Sequence, residues 1–139
     1  MIFGLVSNKE VITRKFEADI PDNLGYTSNY NLRLGENCLF LSSAKPLSFT
    51  NYNYGFIPSG TKGGKIFYEA PVENGNHNTQ EGLLKKDIIQ SPVFRKAIRQ
   101  QRGLLAVDYV IIETEAGKPY LLFLKDKKRP MGLACVWQP

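Results

Sequence analysis

The chain has 139 residues, of which 42% are hydrophobic and 22% are charged. This composition is ordinary for a globular domain and excludes an intrinsically disordered chain. The formal net charge of +5 resides in the C-terminal part, because residues 1–60 carry as many acids as cations, whereas residues 83–139 carry eleven cations and five acids.

The length predicts a single domain over residues 1–139 with its own hydrophobic core. The sequence has no basic leader and no apolar run near the roughly 20 residues of a membrane span, so we expect a cytoplasmic protein that does not contact a membrane. A closed tetrahedral zinc site would need Cys38, Cys135 and the single histidine, His77, together with a carboxylate, and the cysteines show no C-x-x-C spacing. We therefore expect no metal and no cofactor, and the sequence indicates no oligomeric state.

Two hairpins are predicted in the N-terminal region. Residues 2–6 and 10–16 are predicted as strands around a turn, because residues 11–16 alternate between two faces. Residues 19–31 are rich in Pro, Asp, Asn, Gly and Ser, which is typical of a loop. Residues 31–34 and 38–42 are predicted to form the second hairpin, with leucines directed to the core.

An aromatic segment follows the second hairpin. Tyr52, Tyr54 and Phe56 are spaced by two, so an extended chain would point all three rings to one side. Such a strip could stack unpaired nucleic-acid bases. Aromatic residues at this spacing also pack in a core or at its rim, and the sequence leaves both alternatives open.

Two polar loops offer weak candidate sites. Residues 59–65 form a glycine-rich loop in which Lys62 and Lys65 could contact phosphate, although the spacing does not match a P-loop and a predicted strand follows it. In the second loop, residues 71–78, His77 is a weak candidate for a general base, because the sequence places no activating neighbour beside it.

A helical segment is predicted over residues 79–102. Asn78 and Glu81 resemble a capping box, which would begin a first helix. Ser91 precedes a proline and would begin a second one. Gly103 is predicted to end this helix in the left-handed conformation.

This helical segment and the region after residue 124 are strongly basic. Between residues 85 and 102 six cations accompany one acid, Asp87, and like charges at i, i+4 repel unless something neutralises them. A solvated surface with mobile anions or an anionic ligand would each explain this charge. The cations are Lys85, Lys86, Arg95, Lys96, Arg99 and Arg102 in the helical segment, and Lys125, Lys127, Lys128 and Arg129 in the second cluster.

The most apolar part of the chain is predicted to be a hairpin of residues 104–112 and 120–124. Both strands are apolar on both faces, which is typical of central strands covered on two sides. The loop at residues 115–118 has a common hairpin length, with Gly117 available for a positive φ. Pairing Thr114 with Pro119 would place Asp108 opposite Lys125.

Two alternatives follow for the predicted pair of Asp108 and Lys125. The pair could simply close the open end of a buried hairpin. Alternatively, Asp108 with Glu113 or Asp126 could hold a divalent metal beside Lys125, as in a small metal-dependent nuclease. Phe123 stands where that site would need a second acid, which weakens the nuclease hypothesis.

Together these elements predict an α+β fold. We expect an antiparallel sheet of about six to eight strands, with one or two helices at about residues 79–102 packed on one face. The C-terminal hairpin is expected to be central, and residues 131–137 to add a last strand.

The charge distribution favours a non-enzymatic nucleic-acid-binding protein that recognises RNA or single strands. The alternative is an adaptor, inhibitor or assembly subunit that docks on an acidic protein, and the nuclease is a second alternative. The expected nucleic-acid contacts are Arg95, Lys96, Arg99, Arg102, Lys127, Lys128, Arg129, Lys62, Lys65, Tyr52 and Tyr54.

Overall fold

The computed structural model describes residues 1–57, 66–67, 70, 89, 91–126 and 128–138. Eight strands and two α-helices form in this part of the chain, together with a 3-10 turn at Asp22–Leu24. In chain order they are β1 (Ile2–Leu5), α1 (Lys9–Phe16), β2 (Asn29–Leu32), β3 (Asn37–Ser42), β4 (Thr50–Asn53), α2 (Arg95–Gln100), β5 (Arg102–Val107), β6 (Tyr109–Glu113), β7 (Pro119–Leu122) and β8 (Met131–Val136).

The strands form two antiparallel sheets of four strands each. The first sheet has the order β2-β1-β6-β7, and the second has the order β4-β3-β5-β8. The prediction of an α+β fold with six to eight antiparallel strands is therefore confirmed. The strands do not share one sheet, however, because the chain moves from the second sheet to the first between β5 and β6.

The predicted strand over residues 10–16 is wrong, since this segment is the helix α1. Asn8 begins the helix, and its Oδ1 accepts a hydrogen bond of 2.9 Å from the backbone N–H of Val11. Ile12 is fully buried and Phe16 packs on the same core one turn later. Apolar residues four apart, preceded by an asparagine cap, outweigh the alternation that suggested a strand.

The predicted strand over residues 104–112 is divided at Asp108. The residue is 2% exposed, and its carboxylate accepts hydrogen bonds from the backbone N–H groups of Val6 (2.6 Å) and Ser7 (2.7 Å) and from the Ser7 hydroxyl (2.6 Å). Its own backbone N–H donates to the carbonyl of Gly4 (2.7 Å). Asp108 therefore fixes the point where the chain leaves β5 and enters β6.

The hairpin of β6 and β7 forms with a register one residue away from the predicted one. Glu113 pairs with Pro119 and Ile111 with Leu121, because Thr114 belongs to the turn, where its N–H donates to the carbonyl of Lys118 (3.0 Å). A slip of one residue moves every side chain to the other face. The predicted pairing of Asp108 with Lys125 is therefore wrong.

The expected central position holds for two of the strands in this region. β5 and β6 lie inside their sheets, and Leu105, Ala106 and Val107 of β5 are buried. β7 lies at the edge of the first sheet, and each of its residues is exposed. A strand that is apolar at every position is thus not covered on both sides here.

Two apolar clusters cover the two faces of the second sheet. One packs β3 and β5 against α1 and the following segment, and the other joins the second sheet to β1, β2 and β6 of the first. Alternate residues of β5 contribute to the two clusters, which agrees with the two-residue period of a strand. The first cluster is Leu5, Ile12, Ala18, Ile20, Leu39, Leu41, Phe49 and Ala106; the second is Phe3, Leu32, Cys38, Leu105, Val107 and Val110.

The helix α2 is shorter than the predicted helical segment, of which residues 79–88 and 90 lie outside the described residues. Phe94 and Ala97 are buried, so this side of the helix faces the interior. Gly103 does not end the helix; it lies in β5, where a Cβ would stand 2.5 Å from the carbonyl oxygen of Leu41. The packing of the helical segment on one sheet face stays a prediction. No helix in the described part of the chain is long and apolar enough to cross a membrane.

Replacing Asp108 by Asn should lower the free energy of unfolding by about 1–3 kcal/mol, because the neutral amide oxygen accepts weaker hydrogen bonds from the backbone N–H groups of Val6 and Ser7 than the carboxylate oxygen does. Urea unfolding followed by circular dichroism measures this change. Asp126→Asn is the matched control, since Asp126 is exposed, and should change stability by less than about 0.5 kcal/mol. Equal stability of the two variants would contradict the assigned role of Asp108.

Candidate nucleic-acid interface

An aromatic cavity of about 500 Å³ opens on the second sheet, on the face that carries Cys38 and Leu105. Strands β3, β4 and β8 contribute to its walls, and the N-terminal end of α2 closes one side. Its principal side chains are Phe40, Tyr52, Tyr54, Phe94, Cys135 and Trp137. A concave, mostly apolar site with a few polar groups is the usual form of a ligand site in proteins.

Three rings form one aromatic wall. Tyr52 packs edge-to-face on Phe40, with ring centroids 5.4 Å apart, and lies 5.3 Å from the ring of Trp137. Tyr52 pairs with Cys38 across β3 and β4, which places both side chains on the cavity face. Tyr52 and Trp137 are half-buried, so their rings retain accessible surface.

A second aromatic wall is formed around Phe94. Its ring lies 5.4 Å from that of Phe56 and 5.6 Å from that of Phe67. Phe56 and Phe67 are joined by two backbone hydrogen bonds of 2.7 and 2.8 Å. Because Phe94 directly precedes α2, this packing attaches the helix to the rim of the cavity.

Tyr54 also lines the cavity and packs edge-to-face on Phe3, at 4.9 Å between centroids. Tyr52, Tyr54 and Phe56 are all half-buried. The predicted aromatic strip is therefore neither a free surface nor a closed core, and lies along the wall of a cavity.

Trp137 carries a buried polar atom in this cavity wall. Its Nε1 has no hydrogen-bond acceptor among the described residues. The backbone N–H of Trp137 donates to the carbonyl of Gln101 (2.9 Å), which holds the end of β8 against the end of α2. A buried indole N–H without an acceptor is costly.

The cations of α2 follow Phe94, which lines the cavity. Arg95, Lys96 and Arg99 of the helix and Arg102 at the start of β5 are exposed, and we refer to these four residues as the α2 ridge. None of them forms a salt bridge with another described residue; the ion pair that does form joins Lys9 and Asp22 near α1. The exposed Asp22 carboxylate has a lowered pKa because of its hydrogen bond with Lys9.

The C-terminal cations lie at the opposite end of the β5–β8 pair. Arg102 pairs with Val136 at one end, whereas Val107 pairs with Met131 at the other, directly after the basic cluster. Five strand residues separate the two ends by roughly 17 Å. The described cations of the two basic clusters therefore lie towards opposite ends of this pair of strands.

In the C-terminal cluster, Lys125, Lys128 and Arg129 are exposed. The guanidinium carbon of Arg129 lies 5.4 Å from the centroid of the Phe123 ring, a cation–π contact. Lys127 lies outside the described residues.

Lys62, Lys65 and His77 lie outside the described residues, so their suggested roles stay predictions.

Asp108, Glu113 and Asp126 are the acids of the nuclease hypothesis. The Asp108 carboxylate is occupied by Val6 and Ser7, Glu113 ends β6, and Asp126 is an exposed residue with φ of 60°. Within the described ranges, no three His, Cys, Asp or Glu side chains are close enough to hold a metal ion.

The two cysteines lie in the cavity wall and are not joined to each other. The Cys38 thiol donates to the carbonyl of Tyr52 (3.0 Å) and the Cys135 thiol to that of Gly103 (3.5 Å). Burial raises the pKa of Cys38 to about 11. Burial, followed by the nearby Cys38 thiolate, raises the pKa of Cys135 to about 12. Both thiols are therefore neutral at physiological pH and act as apolar wall residues.

The sequence pattern indicated some of the aromatic residues that line this cavity but not the others. The two-residue spacing indicated Tyr52 and Tyr54, but Phe40, Phe94 and Trp137 come from three separate elements. No local signal joins them, because they meet only when β8 pairs with β5 and α2 packs at its end.

No protein-family model matches the sequence, and no curated protein matches it either. Among solved structures, the chain is similar to a crystal structure of a protein from Bordetella bronchiseptica, with a TM-score of 0.62 and 17% sequence identity. The similarity covers 99% of this chain and 63% of the other, so the chain spans less than two thirds of that protein's length. At this identity the similarity shows a shared fold alone.

The free energy of unfolding should fall as the pH rises above about 9. The unfolded thiols lose their protons near their ordinary value of 9.0, whereas Cys38 and Cys135 keep theirs to about 11 and about 12. In this range the unfolded chain binds fewer protons, so each thiol contributes a loss of up to about 1.4 kcal/mol per pH unit. Urea unfolding at a series of pH values, with the Cys38→Ala/Cys135→Ala double variant as control, measures the difference in slope. Identical slopes would contradict the raised pKa values.

Proposed function

We propose that this protein binds RNA or single-stranded DNA without catalysing a reaction, through the aromatic cavity and the adjoining α2 ridge. The observation that carries the proposal is the position of Phe94. Its ring forms a wall of the cavity, and the helix that begins directly after it presents exposed cations without a salt-bridge partner among the described residues.

The aromatic walls supply the contact to bases. Tyr52 and Trp137 are half-buried and line a cavity of about 500 Å³. Stacking of a base on an aromatic side chain stabilises binding by about 1–3 kcal/mol and tolerates any base, because each base has a flat π-face. Such contacts require an unstacked base, which favours single strands over a duplex.

The α2 ridge supplies the contact to phosphates. Arg95 and Arg99 stand at i, i+4 on a short helix, where like charges repel by a few tenths of a kcal/mol. A phosphate between them would remove this repulsion and form charge-assisted hydrogen bonds with the guanidinium groups. A single-stranded nucleic acid could place its phosphate backbone along the α2 ridge and one base in the cavity, and would then contact both the cations and the aromatic rings.

Replacing Arg95, Arg99 and Arg102 together by Gln should weaken binding of a single-stranded oligonucleotide more than tenfold. The slope of log affinity against log salt concentration should fall by about 0.7 for each lost phosphate contact. Fluorescence anisotropy of labelled oligo(U) and oligo(dT) at several salt concentrations measures both effects.

The matched control replaces Lys125, Lys128 and Arg129 by Gln, which removes the same charge at the far end of β5 and β8. This control should retain more affinity than the α2 ridge variant. Equal losses would mean that net charge alone drives association. No retention of either oligonucleotide at low salt would refute the proposal.

Occupation of the cavity should change the fluorescence of Trp137, the single tryptophan in the chain. We expect quenching on addition of unlabelled oligo(U), because a base that stacks beside Tyr52 lies close to the indole. Tyr52→Leu keeps an apolar side chain but removes the ring, and should weaken binding about fivefold to a hundredfold. Tyr30→Leu is the control, since Tyr30 is 70% exposed on β2. Tight binding with unchanged Trp137 fluorescence would place the ligand elsewhere.

A further inference from the structure

A second surface, distinct from the cavity, lies along β7 and the residues after it. Five consecutive large apolar side chains are each about half exposed. They are Tyr120 (47%), Leu121 (54%), Leu122 (48%), Phe123 (49%) and Leu124 (42%). Within β7, Tyr120 and Leu122 lie on one face of the strand and Leu121 on the other, so both faces expose apolar side chains.

The backbone of β7 is also open to a partner. β7 pairs with β6 on one side, and no described strand pairs with its other side. Natural edge strands are usually protected by charged residues, prolines or bulges. β7 is four residues long and begins with Pro119, but the run from Tyr120 to Leu124 contains no charged residue and no further proline. The edge is therefore open to an additional short strand along this run.

The size of the surface favours a single strand over a folded partner. Stable interfaces between folded proteins bury about 800 Å² and about 20–30 residues on each partner, whereas the exposed apolar run here has five residues. In strand addition, the main-chain hydrogen bonds supply affinity and alternate side chains supply specificity, so a narrow surface is sufficient.

The charged residues beside β7 indicate which side chains a partner strand should carry. Lys125, Lys128 and Arg129 follow the apolar run, and Asp126 is the one acid among the described residues there. None of the three cations takes part in a salt bridge with a described residue. The turn before β7 carries both signs, with Glu113, Glu115 and Lys118, so the positive excess lies at the Leu124 end.

We propose that β7 is the docking edge for an extended segment of another protein, apolar at its centre and carrying carboxylates at the end that meets Lys125 and Lys128. The segment adds to the first sheet as a fifth strand beside β7. Its apolar side chains cover either Leu121 and Phe123 or, on the other face, Tyr120 and Leu122. Its carboxylates pair with the ammonium groups of Lys125 and Lys128. This surface is separate from the α2 ridge, so it does not depend on the nucleic-acid proposal.

The test uses a fluorescein-labelled synthetic peptide with alternating valine and threonine and a pair of glutamates at each end. Two twin peptides differ from it in one feature each: one carries lysines in place of the glutamates, and one has alternate backbone nitrogens methylated. We expect the acidic peptide to raise the anisotropy and both twins to bind at least tenfold more weakly. Loss of binding on N-methylation reports strand addition, which charge attraction alone would not require.

The Lys125→Glu/Lys128→Glu variant should reverse the preference, so that the lysine peptide binds more tightly than the acidic one. Both residues are exposed, and circular dichroism verifies folding. The control, Arg95→Glu/Arg99→Glu, makes the same change of charge on the α2 ridge and should leave peptide binding within twofold. It should still abolish oligonucleotide binding, which separates the two proposals.

Several results would overturn this inference. Equal binding of the methylated peptide would exclude strand addition, and equal binding of both charge twins would exclude an acidic partner. Absence of binding at millimolar peptide would reject the surface as a peptide site. Concentration-dependent dimerisation in analytical ultracentrifugation that Leu122→Lys abolishes would instead assign β7 to a second copy of the chain. Oligonucleotide binding lost only in Lys125→Glu/Lys128→Glu would assign the surface to nucleic acid.

Discussion

The buried carboxylate of Asp108 is the interaction on which the arrangement of the two sheets depends. It accepts hydrogen bonds from Val6 and Ser7, immediately after β1, and stands between the last residue of β5 and the first of β6. A charged group with this burial requires several donors, and backbone N–H groups from a distant part of the chain provide them. The interaction thereby joins the start of the chain to the crossing between the sheets.

This crossing determines which surfaces are available for binding. The second sheet is covered by α1 on one face, and on the other it forms the aromatic cavity together with the end of α2. The first sheet ends in β7, whose outer edge no described strand covers. The same crossing places α2 and the C-terminal cations at opposite ends of β5 and β8. Two surfaces with different chemistry result: an aromatic one beside arginines, and an apolar strand edge beside lysines.

Much of the local structure could be predicted from the sequence, but the errors have physical causes. Residues 11–16 alternate in polarity, yet Asn8 caps a helix and Ile12 buries one side of it. Alternation and helical spacing coexist in such a short segment, and only the packing of Ile12 selects between them. The hairpin register was wrong by one residue because Thr114 is part of the turn, which its hydrogen bond to Lys118 decides.

The candidate site also combines residues that a local sequence pattern indicates with residues that only the tertiary structure brings there. Tyr52 and Tyr54 carry a local signal in their spacing, whereas Trp137 is 85 and 83 positions away from them and reaches the cavity only through the pairing of β8 with β5. The basic clusters could be located in the sequence, but not their separation, because charge along a chain carries no information about direction in space.

By itself, the sequence determined the α+β class, the antiparallel character of the strands, the apolar segments and the positions of the aromatic and basic residues. These properties follow from composition, period and turn chemistry, which act over a few residues. The tertiary structure alone decided that Asp108 is a buried link between sheets, that β7 is an exposed edge and that the positive charge is divided. Each of these depends on contacts between residues far apart in the chain, and such contacts are fixed only when the strands pair and the sheets pack.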